Sequence, residues 1–168
     1  VVRNQLLVLE ALERNQRAML LYSDAKGHAE RSRLLHAEAV APASHGSREA
    51  CRIAFHQSLI CLLVDCVRGR SASSEAALRD MLPMAEVVAA AADGAVSSHP
   101  RLRAAYLALL REGWVDARYP PDSVLLSRNV SLVRLVEGLV APLTQLAETP
   151  RKPLGGWDND ARYELAFM

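Results

Sequence analysis

The sequence predicts an all-α fold, a bundle of five to six helices, on three observations. Apolar residues recur at helical spacing along nearly the whole chain, and no stretch alternates as a half-buried strand does. Breaks rich in proline, glycine and serine cut the pattern into helix-sized pieces. With 168 residues, 51% of them hydrophobic, the chain is long enough to bury one core. A formal net charge of +1 with 23% charged residues excludes the disordered class and any protein that coats nucleic acid through bulk charge. Two lysines accompany eighteen arginines, a bias read as compositional drift.

The first helix is expected over about Val2–Tyr22, carried by Leu6, Leu9, Leu12, Met19 and Leu20, with Gly27 as its stop. A second runs from about His28 to Val40, before the loop Pro42–Ser47. The third, Arg48–Val67, is apolar nearly all round and is therefore expected to be central and buried. A fourth, about Glu75–Ala92, is capped by Ser73 or Ser74, kinked or split at Pro83 and closed by Asp93-Gly94. Pro100 suits the first turn of a fifth helix reaching about Ala117, which Pro120-Pro121 ends. A sixth, about Ser127–Ala147, carries Leu132, Leu135, Val136, Leu139 and Leu143, with a bend at Pro142.

Three regions follow: residues 1–27, an N-terminal helix continuing from a preceding region; 28–148, the helical bundle; and 149–168, a tail. The tail is rich in proline and glycine but carries Trp157, Tyr163 and Phe167, as a linker with a short docking segment would. A first residue of valine reads as a trimmed or mature chain. No membrane span is expected, because the longest apolar stretch, from Met81, is broken by Pro83, Glu86 and Asp93. Cys51, Cys61 and Cys66 fall in one apolar helical segment without metal-ligand spacing, as small buried thiols of a reducing, cytoplasmic compartment do.

No hydrolase elbow, glycine-rich phosphate loop, His-Glu-x-x-His or metal-ligand cluster is present, and the histidines at 28, 36, 45, 56 and 99 are dispersed. No cofactor or metal is expected. Two segments stand out: Asp116-Ala117-Arg118-Tyr119-Pro120-Pro121 after an aromatic-bearing helix, and Ala54-Phe55-His56-Gln57-Ser58-Leu59 in the central helix. In these the sequence resembles the HEPN family of small helical domains, over about residues 28–147. The first segment is similar to the family's D-A-R-Y-x-P bend and the second to its A-x-x-H-Q core helix.

The resemblance implies a HEPN-like bundle that forms homodimers, partners a nucleotidyltransferase or other protein, and in some members binds a nucleotide or RNA. Active members use an arginine followed four to six residues later by a histidine. Here Arg118 matches the arginine but no histidine follows, and Asp122 stands where related sequences carry one. An aspartate there would repel the scissile phosphate. The expected reading is a non-catalytic binding and dimerisation module with a ligand site of Arg118, Tyr119, Asp116, His56 and Gln57.

Blander roles are weighed beside these. Arg118 would pair with Asp116 or a helix C-terminus while Tyr119 packs on the core, and His56 and Gln57 would be satisfied core polar groups. Trp114 reads as core or interface, and Arg68-Gly69-Arg70 as a solvated loop. Arg31 and His36 form the one Arg-x4-His pair, which arginine richness makes expected by chance and which reads as a solvated helix face. Two rival classes stay open. One is a metal-independent endoribonuclease with a histidine such as His56 folded against Arg118; the other is a structural helical domain whose tail docks on a partner.

Overall fold

A computed structural model describes residues 2–15, 25–40, 48–120 and 128–148, and the structural statements below concern those residues. They form eight α-helices and one π-helical turn, with no strand among them. The helices are α1 (Val2–Arg14), α2 (Ala25–Val40), α3 (Arg48–Val67), α4 (Ala72–Met81), α5 (Met84–Ala92), α6 (Gly94–Ser97), α7 (Pro100–Leu110) and α8 (Val130–Glu148). The π turn, Arg111–Val115, closes α7. The all-α expectation holds; the count of five to six does not, because the expected fourth helix is two helices and a one-turn helix follows them.

The cause of that split is Pro83. It lacks an N–H and cannot continue α4, so it serves as the N-cap residue of α5. Asp93 then ends α5 and starts α6, its carboxylate accepting the Ala95 N–H at 2.9 Å. Pro100 opens α7 as expected. The expected caps of α4 are corrected: its N-cap is Ser71, without a side-chain cap bond, and Ser73 and Ser74 lie inside the helix. Gly27 does not stop a helix either. It lies in the first turn of α2, so the boundary drawn after residue 27 cuts that helix. The same Ser23-Asp24 run that reads as a stop is equally a helix-starting composition. The described part of the first helix ends at Arg14, and residues 16–24, 41–47 (with the expected loop Pro42–Ser47), 121–127 (with Pro121, Asp122 and Ser127) and 149–168 lie outside the described residues.

The core joins all eight helices in one cluster, α2 through Leu35 and α6 through Ala95 and Val96. Leu9 and Leu12 bring α1 into it against α4 and α3, so the N-terminal helix packs as part of the bundle. The most enclosed helix is α7, with every residue from Ala104 to Leu110 buried. Its alanines add little hydropathy but let neighbouring helices approach closely. By contrast α3 is buried on one side only. His56, Leu59, Ile60, Leu63, Val64, Cys66 and Val67 face inward, while Phe55, Leu62, Cys51 and Cys61 are exposed. This corrects the expectation of an all-round buried helix and of three buried thiols.

The membrane reading changes in the same place. Arg48–Val67 is long and apolar enough to span a bilayer by length and composition, with a mean hydropathy of 1.5, and 44% of that window is buried inside the bundle. The stretch from Met81 that sequence inspection singled out is cut at Pro83 and again at Asp93, into the end of α4, α5 and α6.

Candidate functional site

The bend after α7 is built from α4. Glu75 and Arg79 stand four residues apart and so share one helix face. Arg79 donates from Nε (3.1 Å) and Nη2 (2.8 Å) to Gly113 O, and from Nη1 (3.0 Å) to Tyr119 O. Glu75, fully buried, accepts the Arg118 N–H at 2.9 Å through Oε1, while its Oε2 lies 3.9 Å from Arg79 Nη2. The bend is thus held through backbone groups at both ends. Asp116 N–H reaches back five residues to Arg111 O at 2.7 Å, the widened π turn that brings Trp114 into the core and leaves Val115 outside. Gly113 leaves room for Leu78 here: a Cβ would lie 2.9 Å from Leu78 Cδ2, so the buried leucine side chain would have to shift.

With the backbone so fixed, the side chains of Arg118 and Tyr119 point outward. The guanidinium carbon lies 5.7 Å from the Tyr119 ring centroid, and Tyr119 is 61% exposed. Asp116 is exposed and paired with Arg111, whose Nε lies 3.7 Å from it and whose Nη2 holds Glu112 at 2.7 Å. The expectation that Arg118 pairs with Asp116 and that Tyr119 packs on the core is therefore corrected. Arg79 and Glu75 pin the bend instead. What remains outside is a cation over an aromatic face, which can hold a phosphate through the guanidinium and stack a planar ring.

His56 and Gln57 do not join this group. His56 is 1% exposed, its Nε2 2.8 Å from Tyr106 Oη. Gln57, one residue on and about 100° further round α3, lines a groove between α3 and α7. Three of the five expected ligand residues therefore share the bend, while one is in the core and one in a groove. The Arg31–His36 pair is also divided. Five residues turn a helix by about 140°, so Arg31 points inward at 3% exposure while His36 is exposed. Arg31 does not lie on a solvated face.

Instead Arg31 organises a buried polar network that the sequence did not suggest. Its Nη2 donates to Asp93 Oδ2 at 3.1 Å and its Nη1 to Tyr106 Oη at 3.3 Å, and the same Oη is hydrogen-bonded to His56 Nε2. Ser32 Oγ donates to the same Asp93 oxygen at 2.7 Å. Burial pushes the Asp93 carboxyl up, but the bonds from Ser32, Ala95 N–H and Arg31, with the Arg31 charge, outweigh it and hold the carboxyl below its ordinary value. The sequence signal for Glu75 and Arg79 is their spacing of four. For Arg31 and Asp93, 62 residues apart, there is none.

Desolvation first, from burial at Cys66 and from the α3–α7 groove at the otherwise exposed Cys61, and the Asp65 charge second, raise both thiols, against a lowering by Arg68 at Cys61, so neither is an activated nucleophile. Among the described residues no group of three His, Cys, Asp or Glu side chains is placed to hold a metal. No family model, curated protein or solved structure matches the chain.

Proposed function

We propose that the chain is a non-catalytic, HEPN-like helical module that binds a second copy of itself through α8. One observation carries the reading. On α8, Leu132, Leu135 and Leu139 pack on the core, while Val133, Val136 and Val140 form an exposed stripe at 39%, 50% and 51%, continued by Val130 at 63%. The spacing i, i+3, i+7 sets these valines on one face. Left in water, such a face costs free energy in proportion to its apolar area. A two-fold axis would cover it with itself, and a net charge of +1 gives two copies little reason to repel.

The direct test is sedimentation equilibrium of the wild type against Val136→Glu/Val140→Glu. The wild type is expected to dimerise at micromolar concentration, and the variant to be a monomer with unchanged helix content. A wild type that stays monomeric at hundreds of micromolar would remove the reading.

A second reading, a phosphate or nucleotide contact at the bend, is favoured by the exposed Arg118–Tyr119 pair. Thermal unfolding with AMP and short RNA tests it: the ligand-induced shift should vanish in Arg118→Ala, and absence of any wild-type shift would sink it. At 100 times the dissociation constant the ligand adds roughly 2.7 kcal/mol of stability. Ribonuclease activity has less support, since His56 is buried against Tyr106 while the Arg118 side chain points outward, so the two do not meet.

A further inference from the structure

The seam between α3 and α7 opens into two cavities of about 350 and 330 Å³. Both are lined by Gln57 and Arg101, so they are successive lengths of one groove. In the larger cavity three buried alanines of α7, Ala104, Ala105 and Ala108, make a floor without protruding side chains, and Val64 and Cys61 make an apolar wall. The charged groups lining that cavity are already satisfied. Asp65 and Arg68 pair with each other at 3.1 Å, and Arg101 has a partner of its own. Gln57 differs: among the described residues no hydrogen bond holds its carboxamide, which stands at the junction of the two cavities. The polar chemistry left for a ligand is therefore that of one amide, which offers N–H donors and an accepting oxygen side by side.

We propose that the larger cavity is a binding site for a neutral, planar, fused-ring lactam. The rings would lie on the alanine floor against Val64, with the lactam edge toward Gln57. Three features of the site select this chemistry. A lactam carries N–H and C=O on one edge, so it pairs with a carboxamide through two antiparallel hydrogen bonds. A flat floor of methyl groups touches a ring over its whole face, and a volume of about 350 Å³, at the small end of the range of ligand cavities, takes two fused rings. Because the lining charges are already paired, an ionic ligand would lose its water without gaining a counter-charge, whereas a neutral one loses little. The site lies on other helices than the α8 stripe and does not depend on self-association.

The probe is 2-quinolone, titrated calorimetrically, with 1-methyl-2-quinolone as the counterpart whose ring nitrogen cannot donate. One molecule of 2-quinolone per chain is expected to bind with a dissociation constant below about 1 mM, roughly tenfold tighter than the methylated compound. Gln57→Leu should erase that difference, leaving both at the weaker affinity. Binding should be the same in about 50 and about 500 mM sodium chloride, since no charge is paired on binding. Ala105→Leu, which fills the floor, should abolish binding of both.

A readout that needs no variant is alkylation of the two exposed thiols. The quinolone should protect Cys61, which lines the cavity, and leave Cys51, which does not, unprotected. Failure to bind 2-quinolone at millimolar concentration, equal affinity for the two quinolones, a difference that survives Gln57→Leu, a tenfold loss of affinity in the higher salt, or unprotected Cys61 would each overturn the proposal.

Discussion

Asp93 is the residue whose removal the structure makes most costly. Asp93→Ala acts in two ways. It deletes the acceptor for the Ala95 N–H at the start of α6, an N-cap loss of about 1 kcal/mol. It also leaves the Arg31 guanidinium, 3% exposed, without its carboxylate. An uncompensated buried charge costs roughly 3–5 kcal/mol. Asp93 itself is 22% exposed, so water can enter the vacated space, and the Tyr106 hydroxyl remains as a partner; both argue for the lower end. The expected total is about 4 kcal/mol, or roughly a 10 °C fall in melting temperature for a domain of this size. Urea unfolding followed by circular dichroism reads it directly. The pairing argument adds a sharper condition: Arg31→Met in the Asp93→Ala background should recover stability, because it removes the stranded charge. A loss below about 1 kcal/mol would refute the reasoning, since that is no more than the cap alone. A double variant no more stable than Asp93→Ala would refute it as well.

Three further outcomes are expected. Because the Asp93 carboxyl titrates below its ordinary value when folded, its stabilisation is present above the unfolded pKa of about 4 and is lost as pH falls through the folded value. The steepness of stability against pH below 4 should therefore shrink in Asp93→Asn, and an unchanged slope would contradict this. Gly113→Ala should cost about 1–3 kcal/mol by thermal unfolding, because its Cβ would sit 2.9 Å from Leu78 Cδ2 and the packed helices can yield only slightly. Leu78→Ala in the same background should recover part of that loss if the clash is its cause. Arg79→Ala strips two backbone carbonyls of their donors and leaves buried Glu75 without its cation, a loss of roughly 3 kcal/mol. Faster amide exchange at Arg118 is its local signature, and unaltered protection there would argue that the bend is held by something else.

Much of the helix pattern is local chemistry and was readable in the sequence. Pro83 breaks a helix because it has no N–H, Pro100 opens one, Arg48–Val67 is a helix by periodicity, and Asp93-Gly94 marks a junction. Each of these depends on a few neighbouring residues. Burial was less legible. Hydropathy favours α3 over the alanine-rich α7, yet α7 is the more enclosed, because closeness of packing depends on small size as well as on apolarity. The bend was recognisable by its residues but not by what holds it, since the Arg79–Gly113 and Glu75–Arg118 bonds join positions 34 and 43 residues apart.

The sequence alone therefore determined the helical class, the main helix breaks and the outward residues of the bend as candidates. Only the tertiary structure decided which of those candidates meet. It turned Arg31 from a surface position into the centre of a buried network, moved His56 away from Arg118, and opened the α3–α7 groove. The physical reason is that propensity and capping act within a turn or two of helix. Charge pairing and groove formation depend on which faces meet across the bundle, and no spacing within one helix encodes that.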